Sequence, residues 1–404
     1  MPLALLALAI GAFGIGMTEF AVMGLLPDVA ADYGVSIPLA GYATTVYALG
    51  VVVGAPLMTA LGTRLTRKQM LMLLMGLFIA GNLLTAVAPF FGLMLAGRVV
   101  SSFTHGAFFG IGSLVAADLV APEKRATAIS LMFTGLTAAN IVGVPAGTLL
   151  SQQVSWRATF LAIAVFGVIG LLGVARLIPA RPEKAAARLG SEIAVFRNPQ
   201  VGLAMLMTVL GFGGVFAAVT YLASMMTEVT GFAASSVTWL TAVFGVGLLV
   251  GNIVSGRLTD RAMMPMLYAS MTGLALSLAA FTFTAHDKAG AVITLVLVGA
   301  FGFATVPPLQ KRIMDEAAAA PTLASAGNIA AFNLGNALAA WLGGLVISAG
   351  LGYTAANWVG ALMTAAALGV AVLAGLLERR SRGRGRVVAA GGSLADPVAE
   401  PVGK

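Results

Sequence analysis

Cysteine is absent from the chain. That removes disulfide staples, thiolate metal sites and thiol nucleophiles together. Charge is scarce too: Asp, Glu, Lys and Arg make up 9% of the 404 residues, against roughly 25% in a soluble globular domain. There are two histidines, far apart, and no His-Glu-x-x-His run, so no metal site and no metallohydrolase chemistry is expected. A Gly-x-x-x-x-Gly-Lys-Ser/Thr phosphate loop is missing, which excludes nucleotide hydrolysis by that machinery. No nucleophile and base can be paired from the serines. An enzyme is not expected, and neither is a cofactor.

What fills the chain is apolar. Hydrophobic residues make up 59% and mean hydropathy is +0.98. About twelve apolar stretches approach the ~20 residues that a spanning helix needs. They centre roughly on residues 15, 50, 79, 104, 138, 168, 212, 246, 274, 301, 336 and 366. The expected class is an all-α membrane protein with twelve transmembrane helices in a lipid bilayer.

An internal repeat divides them. Gly50, Gly54, Leu61 and Arg64 recur as Gly247, Gly251, Leu258 and Arg261 at a constant offset of 197 residues. The repeat implies two pseudo-symmetric six-helix halves, 1–178 and 199–377. Pro179, Pro182, Arg181, Lys184, Arg188 and Arg197 mark a linker over 179–198, and a basic, disordered tail is expected over 378–404. Small residues recur every fourth position in the second, fifth, eighth and eleventh stretches, including Gly135/Ala139/Gly143/Gly147 and Gly335/Ala339/Gly343. One face of each is thereby kept open to close helix packing, and a three-helix unit is nested in each half.

A net charge of +8 raises nucleic acid as a partner, but the distribution of charge answers it. With the N-terminus placed in the cytoplasm, all of the 23 basic residues except Arg98, Arg157 and Lys288 fall in inside loops, the linker or the tail. That is the positive-inside bias, with both termini cytoplasmic. The charge serves topology, and no nucleic acid is expected.

Glu19 is the one acidic residue deep inside a span. An ionisable group there costs at least ~2.5–3.5 kcal/mol on insertion scales and is a functional candidate by default. Counted along their helices, Glu19 and Arg98 sit at the same depth, ~20 Å above the inner surface, so acid and base are expected to attract across an interior cavity. Ser102, His105 and Phe109 follow Arg98 on one helix face and are candidates to line that cavity. Phe212, Phe216, Asn333 and Asn336 are candidates from the second half.

These residues resemble the major facilitator superfamily over residues 1–377. Gly256-Arg-Leu-Thr-Asp260-Arg261 is similar to the family's loop signature Gly-x-Leu-x-Asp-Arg. The first-half copy has Thr59 and Thr63 in place of the glycine and aspartate, but keeps Arg64, Arg67 and Lys68. Asn140-Ile-Val-Gly143-Val-Pro145-Ala-Gly147 is similar to the helix-five motif of proton-driven exporters, with Val144 inserted between Gly and Pro. Arg98 matches the helix-four arginine of drug:proton antiporters. Thr18-Glu19-Phe20, Gly24-Leu-Leu-Pro27 and Asn333-Leu-Gly335-Asn336 resemble the branch of arabinose and chloramphenicol efflux proteins. The resemblance implies a bacterial inner-membrane transporter with helices one, four, seven and ten around a cavity. It implies an inner latch of Arg64, Arg67, Asp260 and Arg261, to which Asp118 adds an acidic partner for Arg64 or Arg67.

The expected activity is proton-coupled efflux of a small neutral or weakly cationic solute, such as a drug or a sugar, by a monomer. Glu19 and Arg98 would couple the proton. Uptake by symport and solute sensing without transport remain open.

Overall fold

The computed structural model describes residues 3–62, 65–179, 197–317 and 321–391. Among them there is no strand, and twelve helices are long and apolar enough to cross a membrane. In chain order they are α1 (Leu3–Phe20), α2 (Ile37–Met58), α3 (Arg67–Val87), α4 (Phe91–Asp118), α5 (Thr127–Gln153) and α6 (Trp156–Leu177). Then come α7 (Pro199–Val219), α8 (Ser236–Arg261), α9 (Met263–Thr284), α10 (Lys288–Glu316), α11 (Ala324–Leu351) and α12 (Ala355–Glu378). An even number of crossings brings α12 back to the side where α1 starts. That side is the terminal end of the bundle, and the opposite side is the far end.

Local chemistry sets where several spans begin. Thr66 and Gln69 cap each other's backbone N–H at the start of α3. Asn198 caps α7 and Pro199 occupies its first position, where a missing N–H costs nothing. Asp287 Oδ2 accepts the Gly290 N–H at 2.7 Å to start α10. At the far end α1 breaks at Ala21 and resumes as a helix over Val22–Tyr33, closed by Gly34 at φ 63°. α7 breaks in the same way beyond Val219 and continues over Leu222–Ser224. The two breaks lie about one repeat offset apart, so the duplicated unit includes the interruption.

The small-residue faces meet the remaining helices of their own half. A Cβ on Gly54 of α2 would lie 2.6 Å from Phe103 Cα of α4, and one on Gly143 of α5 would lie 2.6 Å from Met17 Cγ of α1. A Cβ on Gly247 of α8 would lie 2.6 Å from the Val296 carbonyl of α10, and Gly343 of α11 packs on the Ala217 carbonyl of α7. With Gly135 of α5 also lying on the Ala9 carbonyl of α1, each helix of the set α2, α5, α8 and α11 thus packs closely on one of α1, α4, α7 and α10.

Within α5 the ladder changes pitch. Ala139–Gly143 forms a π turn, in which the Val144 N–H reaches back to the Ala139 carbonyl. A π turn is how a helix absorbs one extra residue without rotating the turns beyond it. The inserted Val144 sits at its end, next to Pro145, which has no N–H to donate.

One apolar core is built almost wholly from α1 to α6, and a second from α7 to α12 with Phe20, Met23 and Val144 reaching in from the first. Between the two sets, α5 meets α8 from Ala139 to Gln153, and Gly245 fits beside the Asn140 carbonyl. Towards the far end, Gln152 Nε2 donates to the Ala234 carbonyl at 2.7 Å and Gln152 Oε1 accepts from the Thr238 hydroxyl at 3.0 Å. Tyr221 lies against Gly41 and Gly344. The bundle is therefore closed at the far end and parted between α5 and α8 at the terminal end.

Two features depart from the sequence reading. The last helix runs on to Gly391, through residues expected to be unstructured. Arginine is a good helix former and no proline occurs between Pro321 and Pro397. Residues 392–404 lie outside the described residues, as do 180–196 of the expected linker. Arg312, counted from sequence as a loop charge, is 1% exposed. It pairs with Glu378 of α12 and Glu316 of its own helix, and donates to Gln200 of α7. Its place at a helix end hid the burial; the sequence signal was Glu316, four residues on.

Candidate functional site

Glu19 is the only acidic side chain that is buried among the described residues. It lies in the last turn of α1, just before the interruption at Ala21, and its neighbours Phe20 and Met23 reach into the core of the second half. Its Oε2 lies 3.9 Å from His105 Nδ1 of α4. His105 Nδ1 in turn lies 3.2 Å from the Tyr47 hydroxyl of α2. From the other half, Asn336 Nδ2 of α11 donates to Glu19 Oε1 over a long 3.5 Å. Four helices and both halves thus converge on one carboxylate.

Arg98 is wholly buried beside this group. It makes no contact ion pair with Glu19 among the described residues, which corrects the expectation that the two side chains meet, although their charges still attract at longer range. Arg98 Nη1 donates to the Thr18 carbonyl at 2.7 Å and Nε to the Ala43 carbonyl at 3.1 Å. Its guanidinium lies over the Tyr47 ring, 4.3 Å from the centroid. Equal depth was legible in the sequence, but which atoms a guanidinium reaches was not, because backbone carbonyls leave no mark in a side-chain pattern. Thr18 is held in turn by Asn82 of α3, at 3.1 Å from hydroxyl to amide oxygen, and sequence reasoning did not single out Asn82.

The aromatic candidates come together across the halves. Phe20 of α1 lies 5.6 Å from Phe216 and 6.4 Å from Phe303, and Phe212 lies 5.0 Å from Phe332, centroid to centroid. Phe109 sits 5.3 Å from His105 and stacks on Phe133 at 5.0 Å. Ser102 does not join them. Its hydroxyl donates to the Val99 carbonyl and packs against Gly50, so it belongs to the α2–α4 contact and not to the site. Asn333 is buried on α11, donating to the Ile329 carbonyl while its Oδ1 has no partner. Nearer the terminal end the second half carries a chain of amides and hydroxyls. Thr208 donates to Asn328 at 2.7 Å, Asn328 to Gln310 at 2.8 Å, and Gln310 to Ser325 at 2.6 Å.

Of the expected latch, Arg67 and Asp118 are brought together at 2.6 Å, joining α3 to α4. Arg64 lies outside the described residues, and Lys68 sits beside Arg67 in the first turn of α3. Asp260 and Arg261 are exposed and their side chains make no hydrogen bond or ion pair among the described residues, and Gly256 beside them opens onto free space. Asp260 does not close the latch from the second half, because α5 and α8 part before reaching that end. In the helix-five motif, Gly143 lies on Met17 and Phe13, and Gly147 on Thr159 of α6, with Pro145 buried beside them. The motif packs α5 on α1 below the Glu19 site.

Known proteins share this chain's pattern. A family model described as Major Facilitator Superfamily matches residues 8–340. Inner membrane transport protein YdhP of Escherichia coli (strain K12) is 47% identical over 86% of this chain and 89% of its own length. Putative transporter AraJ of the same strain is 37% identical over 87% of this chain and 89% of its own. The chloramphenicol resistance protein of Streptomyces lividans is 37% identical over 83% and 87%.

Proposed function

The chain belongs to the Major Facilitator Superfamily and is a multi-pass transporter of the inner membrane, and from that premise we propose that it exports a small neutral or weakly cationic solute in exchange for protons. The observation that carries this reading is Glu19, the one buried acid, placed where the two halves touch through Asn336.

Orientation is argued from charge. Arg67, Lys68, Arg257, Arg261 and Lys311 gather at the terminal end, and basic residues favour the cytoplasmic side. Both termini are then cytoplasmic, and the parted end opens inward, the state in which an exporter takes up its load. Glu19 takes a proton from outside, and losing its charge changes how it holds the second half. Solute entering from the cytoplasm favours the ionised acid. A proton crossing with the membrane potential supplies ~2.3 kcal/mol per 100 mV, enough to bias two states a few kcal/mol apart.

The solute class rests on what surrounds the acid. Phe20, Phe212, Phe216, Phe303 and Phe332 offer an apolar wall, and Asn333 and Asn336 offer amides. The one cation nearby among the described residues, Arg98, spends Nε and Nη1 on backbone carbonyls and lies over a ring face, while Nη2 has no partner. That single buried guanidinium already holds the backbone of two helices, so the apolar wall and the amides set the solute class, and they suit a neutral or weakly cationic molecule. The name of the Streptomyces lividans relative supports a drug as the load. A monomer suffices, since each chain holds both halves.

Reconstituted vesicles with a trapped pH dye test the reading. Wild-type protein should move protons when chloramphenicol or another member of a compound panel is added, and Glu19→Gln should not. Undiminished proton movement in Glu19→Gln removes Glu19 from the role. Compound accumulating in right-side-out vesicles would instead mark uptake.

A further inference from the structure

Asn336 holds two observations that packing alone does not account for. Its side chain is 1% exposed, and its Nδ2 is the second half's hydrogen-bond donor to Glu19. Its Oδ1 is buried with no hydrogen-bond partner among the described residues, as is that of Asn333. That oxygen is engaged by no other described residue, so the amide can present either of its ends to Glu19.

The chemistry of the pair gives that freedom a use. An ionised carboxylate only accepts hydrogen bonds, whereas a protonated one also donates. An amide carries both functions on one planar group. In the arrangement seen, Nδ2 faces Glu19 and suits the ionised acid. Turning the amide over brings Oδ1 to the same place, where it would accept the O–H of protonated Glu19. One side chain thus meets either form of the acid, and each form selects an orientation.

We propose that Asn336 is the positioning residue through which the C-terminal half senses the proton on Glu19. The inference rests on the reading of Glu19 as the coupling acid and goes beyond it, because it names the group on the opposite half that detects the change. Hydrogen bonds to a charged group are roughly twice as strong as neutral ones. Asn336 therefore holds the halves together more firmly when Glu19 is ionised, and on balance favours that form. The other titratable or charged groups facing Glu19 among the described residues are His105 and Arg98 on α4 and Tyr47 on α2. All three belong to the first half and move with the acid. Asn336 alone of these residues changes partner geometry when the halves rock.

The absence of cysteine makes a direct test simple. Thr127→Cys on α5 and Leu258→Cys on α8 place spin labels on exposed residues of the two halves at the parted end. The label separation in the full chain, measured from pH 5 to 9, reports opening and closing without a substrate. The wild-type background should switch with a pH midpoint, and Glu19→Gln should abolish the switch. Asn336→Leu removes the donor to the ionised acid, so protonation should occur at higher pH, with the midpoint moving up by about one unit. Asn336→Asp puts a second carboxylate beside the first and should move it further in the same direction. Asn336→Gln keeps the amide and should stay near wild type.

A midpoint is independent of how much protein folds, so poor yield of one variant does not mimic the effect. A wild-type midpoint in both Asn336→Leu and Asn336→Asp, with the switch still lost in Glu19→Gln, overturns the role of Asn336 and leaves that of Glu19 standing. A switch that survives Glu19→Gln overturns both.

Discussion

Arg98 donates to the main-chain carbonyl of Thr18, 2.7 Å away, and not to the carboxylate of Glu19 one residue further on. Its Nε reaches the Ala43 carbonyl on α2 at the same time. The guanidinium therefore brackets α1, α2 and α4, and fixes the backbone from which Glu19 projects. A buried cation held by carbonyl dipoles keeps the carboxylate free to gain and lose a proton, which a tight ion pair would oppose.

That bracket predicts a difference between arginine and lysine. A lysine ammonium is a single point that cannot follow two diverging directions from the middle of a helix. Arg98→Lys should lose one of two charge-assisted bonds, worth roughly 1.5–3 kcal/mol each. Thermal unfolding in detergent should show a lower midpoint, with transport falling further than folded protein does. A midpoint equal to wild type would mean that the bracket does not hold the first half together.

The staple at Arg312 predicts non-additivity. Glu378 and Gln200 bind its guanidinium from α12 and α7, and Met264 Sδ of α9 lies 3.0 Å away. Removing one partner of a buried pair strands the other, at a cost of ~3–5 kcal/mol for deep burial. Glu378 is partly exposed, so the lower end applies to Glu378→Met. The double variant Arg312→Met with Glu378→Met should be less destabilised than Arg312→Met and Glu378→Met summed. Unfolding of all three by denaturant measures the coupling, and simple additivity would show that the contact carries little.

How much of this was legible depends on what each feature leaves in the sequence. The twelve spans and the duplication were readable because apolar length and repeated glycine spacing are properties of the residue string. Glu19 was readable because an acid among apolar residues stands out. The partners of Arg98 and the burial of Arg312 were not, since both depend on which backbone or neighbouring helix lies across the packing. Ser102 misled for the opposite reason: its spacing from Arg98 fits the site, but Gly50 leaves a gap that draws it towards α2. The inserted Val144 was visible as a departure from a motif, and the π turn is its physical meaning.

The π turn yields a prediction of its own. Because Ala139–Gly143 absorbs one residue, deleting Val144 should let α5 close into a regular ladder with Gly147 still facing Thr159. Deleting Leu149, past the turn, should instead rotate the end of α5 by about 100° per residue and pull Gln152 away from α8. Expression and monodispersity in detergent should be near wild type for the first deletion and lost for the second. Equal loss in both would show that the turn is not a reservoir for the extra residue.

Gln152 provides the last test, at the far end. Its amide spends both functions across the halves, donating to the Ala234 carbonyl and accepting from Thr238. The contacts are half-exposed, so each is worth towards the lower end of ~0.5–1.5 kcal/mol. Losing two of them should raise the far-end-open population by about five- to tenfold, since 1.4 kcal/mol is a factor of ten in population. Gln152→Ala should therefore make a cysteine introduced at Phe216, on the buried aromatic wall, react faster with a membrane-impermeant maleimide added to the far side. The same cysteine in the wild-type background gives the reference rate, and Gln152→Glu should sit between the two, because a carboxylate still accepts from Thr238 but cannot donate to Ala234. Equal labelling rates in all three would place the far-end closure in the α2–α11 contact around Tyr221 and not in the α5–α8 contact. That outcome would shift the gate to the seam where Gly41 and Gly344 leave room for the Tyr221 ring.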